Sequence, residues 1–461
     1  MSLIDSVFSL KSKTKQLYLL SPKELKQITH HTLAPYKNFF SINNFTGSEN
    51  ESLVLYNKKG LIDKAVLGLG NYNLDSPWTY AKLLKALPLG KWELSGAFSK
   101  HQSNMALLGS ILEGYRFKNK KNIFDKHFTF SNNNKYKHII TEVAAIFFGR
   151  DLINLPTSDL NTELFEKICR NFAKFHNSSI EVTSGKSLIE KNYPAIYAVG
   201  KASSSEPKLI DLRWSGNKDG KLICLIGKGV CFDSGGLNIK SSHNMRLMKK
   251  DMGGAATVLS LAHMIMSSNL PVNLRILIPT VENSISGNSL RPGDVINTRS
   301  KNTVEVLDTD AEGRLILCDA LFEADSEDPE LIIDFATLTG AARVALGADL
   351  PALFSSNKRL ENLILNEGKK LFDPLWSLPL WSPYKSLLSS DIADLANISP
   401  GSYGGAITAA LFLEHFVRPS SNWVHIDLFA WNLDSSPGKP RGGEIMSARA
   451  VFHALKKFIY W

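Results

Sequence analysis

Cysteine is scarce in this sequence. Four occur in 461 residues, Cys169, Cys224, Cys231 and Cys318, and no C-x-x-C pair is among them. Buried free thiols in a reducing cytosol are the expected state. Cys231 stands two residues before an aspartate of interest, but no nearby histidine supports a catalytic thiol. Long apolar runs are also missing. None approaches the roughly 18 residues of a transmembrane helix. The opening Met1-Ser2-Leu3-Ile4-Asp5 lacks a basic region followed by an apolar one, so no secretory leader is expected and the location is read as cytoplasmic, with no membrane partner. No internal repeat and no low-complexity tail interrupts the chain. A Ser-His-Asp triad is likewise absent, and His243 and His425 are isolated and read as structural.

What is present is a soluble globular balance, 44% hydrophobic and 21% charged. The length calls for two domains or more. The net charge of +9 is unevenly spread: residues 1–150 hold 21 Lys and Arg against 10 Asp and Glu, and the remainder 32 against 34. A basic domain can serve a nucleic-acid surface. No basic-aromatic motif accompanies it, so solvated Lys/Asn-rich faces are the favoured reading and DNA binding the lesser one.

Residues 1–140 read as a small N-terminal α/β domain. Its expected strands include Leu53–Tyr56 and Lys64–Gly68, and its expected helices run from Pro77 to Leu87 and from Met105 to Tyr115. Residues 118–122 and 131–135 read as polar loops. A connecting helix is expected over 141–155, starting near Ile139. From 156 to 461 strand and helix alternate. The expected class is α/β, with a larger C-terminal catalytic domain built on a mixed, mostly parallel sheet flanked by helices. Its strands are expected at Lys221–Ile226, Asn273–Ile278, Leu331–Phe335 and Trp423–Phe429, and a strong helix at Met252–Met266.

The stretch Leu307-Asp308-Thr309-Asp310-Ala311-Glu312-Gly313-Arg314-Leu315 alternates charged and small residues. In an extended segment alternate side chains share one side, so Asp310, Glu312 and Arg314 would converge. Two carboxylates aimed at one point repel, and one should stay protonated near neutral pH unless a divalent ion joins them. Upstream, Gly227-Lys228-Gly229-Val230-Cys231-Phe232-Asp233-Ser234-Gly235-Gly236 follows an expected strand. Lys240 comes seven residues after Asp233, and Asp251 is placed at the start of the next helix, where the dipole favours a carboxylate. Taken singly, these are caps and solvated charges. Taken together they form a two-metal pattern, with ions about 3.5–4 Å apart clamping the attacking and leaving oxygens.

At this point the sequence resembles the M17 leucyl (cytosol) aminopeptidase family. Residues 308–315 read D-T-D-A-E-G-R-L where the family usually reads N-T-D-A-E-G-R-L. The G-K-G-x-x-F-D-S-G-G run fits as well. So do K-D-M-G-G-A-A from Lys250, R-P-G-D from Arg291, A-T-L-T-G-A from Ala336 and G-G-A-I-T-A-A from Gly404. The resemblance is strong from about residue 140 onward and weaker before it.

The resemblance implies a metal-dependent aminopeptidase, a protease of leucine-type preference acting on peptide substrates, with two divalent ions per subunit (manganese or zinc). Lys228, Asp233, Asp251 and Glu312 correspond to the ligands of one ion, and Asp233, Asp310 and Glu312 to those of the other. Lys240 and Arg314 match the two catalytic positions. Lys240 would stabilise the gem-diolate formed by a two-metal-activated hydroxide, and Arg314 would hold a bicarbonate that shuttles the proton. Met248, Thr337 and Gly340 correspond to part of the pocket for the first side chain, with a backbone contact from Leu338. Ser435 to Ser447 departs from the better-known members, which leaves the pocket's C-terminal wall unplaced. A homohexamer is also implied. Four carboxylates balance two dications if Lys228 binds as a neutral amine, a state that desolvation was expected to ease.

Overall fold

The computed structural model describes residues 14–28, 32–117, 126–129 and 136–459; the expected loops at 118–122 and 131–135 lie outside them. Two compact units result, Met1–Phe147 with Asp434–Arg441, and Phe148–Leu433 with Gly442–Trp461.

The first unit carries the strands β1 (Lys15–Leu20), β2 (Ser52–Tyr56), β3 (Ile62–Gly68), β4 (Gly90–Ser95) and β5 (Lys126–Thr129). They order as β2-β3-β1-β4-β5, all parallel except β2 against β3. Pro77 opens the helix Pro77–Lys85, where its missing N–H costs nothing. The helix Lys100–Glu113 starts from a capping box between Ser99 and Gln102. Leu17, Val66, Trp92 and Leu108 are buried in this unit.

The second unit is built on a larger sheet. Its strands include β6 (Ser179–Ser184), β7 (Lys208–Ser215), β8 (Lys221–Gly227), β9 (Gly229–Asp233) and β10 (Val272–Asn283). A small separate sheet holds β11 (Asp294–Asn297), β12 (Thr303–Val306) and β16 (Leu395–Ala396). The large sheet continues with β13 (Leu331–Ala336), β14 (Ala352–Ser355), β15 (Trp376–Ser377) and β17 (Trp423–Asp427). Its order is β15-β14-β17-β13-β8-β10-β7-β6, with β9 also paired to β10. The middle four strands, β17, β13, β8 and β10, run parallel. Antiparallel pairings appear towards both sides, β14 on β17, and β7 on β10 with β6 beyond it. The sheet is therefore mixed and mostly parallel at its centre, as the sequence led us to expect.

The reason lies in composition. Strands β8 and β13 are almost continuous apolar runs, buried on both faces, which is the signature of strands covered by helices on either side. The helices Gly253–Ser267 and Glu312–Asp325 are buried along most of their length. Parallel strands end together, and ligands collect beyond their carboxyl ends. Lys228 follows β8, Asp233 ends β9, Asn283 ends β10 and Thr337 follows β13.

Three local expectations fail. The 307–315 stretch is not extended: Glu312 is the first residue of the helix Glu312–Asp325, and Asp310 sits in the turn before it. Convergence comes from a turn that leads into a helix, since the apolar run Leu315–Leu317 pulls this stretch into the core as helix. Asp251 does not open the following helix, which starts at Gly253; it ends a short turn formed by Met248–Lys250. The third correction concerns His425, which is not isolated. It is buried on β17, its Nδ1 is 2.6 Å from Asp334 Oδ1, and it stacks with Trp423 and Phe354.

Candidate metal centre

Four acids and two lysines from separate loops meet at the carboxyl edge of the large sheet. Oxygens of Asp233, Asp310 and Glu312 all lie within 4.8 Å of one another. Lys228 joins Asp251 to this group, with Nζ 2.9 Å from Asp251 Oδ2 and 2.8 Å from Glu312 Oε1. Lys240 lies 2.7 Å from Asp233 Oδ2 and 2.5 Å from Asp310 Oδ1. All five residues matched to metal ligands, and Lys240 with them, are thus brought together. Arg314 lies on the same helix as Glu312, one place beyond Gly313.

Local backbone chemistry positions each side chain. Gly235 follows β9 in the left-handed region at φ +88°, and a Cβ there would stand 2.4 Å from Asn238 O and 3.0 Å from Asp310 Oδ1. The turn is tight because glycine allows it. It delivers the Gly235 N–H to Asp233 Oδ1 at 2.9 Å. Gly313 has a different task. A Cβ at that position would stand 2.6 Å from Lys228 Nζ, so the bare glycine lets the lysine lie across the helix start.

Electrostatics explains how these groups coexist. Burial alone disfavours a charged Lys228, but Asp251, Glu312 and Asp233 outweigh it and hold the ammonium above the ordinary lysine range. Lys240 behaves in the same way, with Asp233 the largest opposing charge. Burial alone therefore does not free the Lys228 amine: the neighbouring acids favour its proton, and displacing that proton falls to a bound ion. Burial, then the charge of Asp233, pushes Asp310 up to about 7. The same two causes push Glu312 up to about 8. Burial also raises Asp251, yet Lys228, Lys250 and Lys240 more than offset it and leave that acid below its usual value. Four acids face two ammoniums, and the excess is relieved by protons.

These residues fit a divalent pair. Glu312 Oε2 is buried without a hydrogen-bond partner, and Asp251 Oδ2, Asp310 Oδ1 and Glu312 Oε1 are met by the lysine ammoniums alone. Buried carboxylate oxygens in that state call for a cation. The lysines supply charge to three of these oxygens, and Glu312 Oε2 is left with no donor.

Residues with no charge complete the frame, and they were not anticipated from the sequence. Asn283 Nδ2 donates to Asp233 Oδ1 at 2.8 Å and to Thr309 O at 3.0 Å. Thr309 is tied to the lysine loop through Asn238 Oδ1 at 2.9 Å and Gly235 O at 2.6 Å. Asn397 accepts from the N–H groups of Leu307 and Asp308, and donates to Asp308 O. Asparagines carry no spacing signal. The strand expected at Asn273–Ile278 runs on to Asn283, and that extension is what brings the asparagine to the strand's carboxyl end.

Asp308, where the family usually has asparagine, accepts the N–H of Asp310 on Oδ1 at 2.8 Å. An asparagine oxygen fills that role equally, and the aspartate adds a charge that helps raise Asp310. Arg314 donates from Nη1 to Asn397 O at 2.7 Å, while its Nε is buried without an acceptor. Burial lowers its guanidinium to about 10, still charged near neutral pH.

The residues matched to the side-chain pocket take three different places. Thr337 Oγ1 donates to Asp251 Oδ1 at 2.8 Å, next to the acids. Met248 is buried and opens the turn that ends at Asp251. The Leu338 N–H is already taken by Asp427 Oδ1 at 3.1 Å, which leaves its carbonyl for any backbone contact. Gly340 is exposed at the start of the helix Gly340–Leu346. Cys231 is buried and its thiol is pushed well up by that burial, so it offers no thiolate.

Comparisons with known proteins give the family. A protein from Xanthomonas oryzae pv. oryzae named probable cytosol aminopeptidase is 41% identical over 290 residues, covering 63% of this chain and 59% of the relative. The chain thus spans less than two thirds of that relative's length. A crystal structure of cytosol aminopeptidase from Coxiella burnetii superposes with a TM-score of 0.90 at 42% identity, covering 97% of this chain and 98% of the other. The bottromycin maturation enzyme BotP, in complex with Mn, matches with a TM-score of 0.86 at 27% identity, covering 97% and 99%. Residues 147–452 match the family model described as the cytosol aminopeptidase family, catalytic domain. With that match over most of its length, the chain belongs to the cytosol aminopeptidase family.

Proposed function

We propose that this protein is a metal-dependent aminopeptidase, which releases N-terminal residues from peptides at the centre formed by Lys228, Asp233, Asp251, Asp310 and Glu312. One observation carries the reading: Asp233, Asp310 and Glu312 gather within 4.8 Å, with Glu312 Oε2 buried without a hydrogen-bond partner and the facing oxygens of Asp251, Asp310 and Glu312 met by lysine ammoniums alone. When bound, two divalent ions, manganese or zinc, supply a strong nucleophile at neutral pH and polarise the scissile carbonyl.

The chain's own groups do the rest. Asp233 and Glu312 would serve both ions, Lys228 and Asp251 would complete the set for one, and Asp310 would complete the set for the other. Lys240 hands over its carboxylate contacts and turns its ammonium to the oxyanion that develops at the scissile carbon. Arg314 offers its unpartnered Nε–H to a small anion of the bicarbonate class, which carries a proton to the leaving amine. Met248 gives apolar surface for a leucine-type side chain. Assembly as a homohexamer and a cytoplasmic location accompany this reading. Among the described residues, no helix is long and apolar enough to cross a membrane.

The test is an assay of aminoacyl amides and short peptides with manganese or zinc, alongside their N-acetylated forms. Release of the first residue from free peptides only is expected. Equal cleavage of acetylated peptides, or no cleavage with either metal, overturns the reading.

A further inference from the structure

Two cations meet one aromatic ring beside the acidic centre. Lys250 is 1% exposed and lies immediately before Asp251. Its Nζ stands 4.9 Å from the centroid of Phe429. Among the described residues it makes no hydrogen bond and no ion pair. Its sequence neighbour Asp251 is committed elsewhere, to Lys228 and Thr337. Arg343 approaches the same ring from the helix Gly340–Leu346, with its guanidinium carbon 4.9 Å from the centroid. It is half-buried, and Nη1 donates to Thr339 O at 2.9 Å. No carboxylate pairs with it among the described residues. A Cβ built on Gly340 would stand 3.5 Å from Arg343 Nη2, so the guanidinium reaches over that glycine.

A buried ammonium whose nearest acid, Asp251, is already engaged by another lysine is expensive, and a ring face compensates for part of that cost only. Such a group is kept at little gain to stability. The residues around it are those assigned to the substrate's first side chain: Met248 two places before it, Thr337 on Asp251, and Gly340 under Arg343. A leucine side chain entering there would finish the desolvation of Lys250 and give nothing back. A carboxylate reaching the Phe429 ring would find charge-assisted donors in Lys250 and Arg343, each 4.9 Å from its centroid.

We propose that Lys250 and Arg343 select substrates whose N-terminal residue carries a side-chain carboxylate, glutamate or aspartate. This widens the pocket's preference beyond the leucine type, and it rests on the aminopeptidase reading above. Glutamate and glutamine have nearly the same shape, so their comparison isolates the charge.

The experiment uses the full chain loaded with manganese. First, kcat/KM is measured for Glu, Gln and Leu amides. Glu is expected to exceed Gln by about tenfold or more, since a site built for a charged partner rejects its neutral isostere. Lys250→Met and Arg343→Gln should each cut that Glu-to-Gln ratio several-fold. Second, the melting temperature is read with free L-glutamate or L-glutamine added. Glutamate should raise it more than glutamine in the parent protein, and the difference should shrink in both variants. Should Lys250→Met fail to fold, Arg343→Gln carries the test from its half-buried position. Equal rates on Glu and Gln, or ratios unaltered in the folded variants, overturn the proposal. If no amide is cleaved at all, the aminopeptidase reading fails first, and the thermal shifts still decide whether the pocket selects a carboxylate.

Discussion

Gly313→Ala puts the assigned role of Lys228 to a direct test. A methyl at this position would stand 2.6 Å from Cε and Nζ of Lys228 and 2.8 Å from Cδ. Ordinary contact begins near 3.4 Å, so the lysine end must retreat by about 0.8 Å. It has little freedom to do so. The side chain is 4% exposed, and its Nζ is held by Asp251 and Glu312 and donates to Thr337 O at 3.0 Å. The fold itself should survive. Alanine gains up to about 1 kcal/mol in a helix over glycine, and overpacking costs about 1–3 kcal/mol. A net loss of about 0–2 kcal/mol moves the melting point by a few degrees, at about 2–4 °C per kcal/mol. Function is affected far more, because a misplacement of about 1 Å in a catalytic site can cost about 10²-fold in rate. The assays are thermal melting by circular dichroism, metal titration by calorimetry and kcat/KM on a leucine amide. The expected outcome is a near-normal melt with weaker binding of one ion and a rate loss of this order. Unchanged metal affinity and rate in the folded variant would remove Lys228 from the ligand set.

Three further outcomes can be checked. Chelation should lower the melting temperature by mass action while the protein stays folded at 25 °C. The stability of the metal-free protein should fall as pH rises from about 4 to about 8 and level off above: folding raises Asp310 from 3.8 to about 7 and Glu312 from 4.5 to about 8, so their contribution is full below the unfolded values and is lost as pH climbs to the folded ones. Metal affinity should rise over the same interval, because ions and protons compete for these oxygens, and a metal-free melt that improves from pH 6 to 9 contradicts the assignment. Arg314→Ala should lower kcat by about 10²–10³-fold, in the range of a lost oxyanion donor, with metal content by elemental analysis retained; loss of both ions would make Arg314 structural. Asn283→Ala strips a donor from Asp233 and from the Thr309 carbonyl, at a cost of about 1–3 kcal/mol in a denaturant melt; an unchanged melt would mean that other groups hold Asp233 in place.

Much of the frame was legible because it depends on patterns. The apolar runs at 221–227 and 331–336 could only be strands buried on both faces, and the small-residue start at Gly253 belongs to a helix. The charged residues of the centre were legible for a related reason: so many acids and lysines beyond strand ends have no cheap structural use. Backbone direction was harder to read. Alternating charge at 308–314 suggests an extended strand, yet the apolar residues from Leu315 onward turn Glu312 and Arg314 into a helix start. Harder still were neutral groups whose value lies in orientation. Asn283, Asn397 and Thr309 hold the acids in register through side-chain amides and a hydroxyl. The Lys250 and Arg343 pair on Phe429 spans three distant stretches, and no local spacing announces it.

The two ammoniums lodged among the acids have a consequence for the protein's life history. Lys228 and Lys240 each bridge two of the acids, so the polypeptide itself offsets much of the repulsion among them, and folding would not have to wait for an ion. A cell short of transition metals would then keep a reserve of intact but silent chains. Resupply would wake them by swapping protons for ions, with no fresh synthesis, and metal availability would set how much of the pool is working rather than how much of it survives.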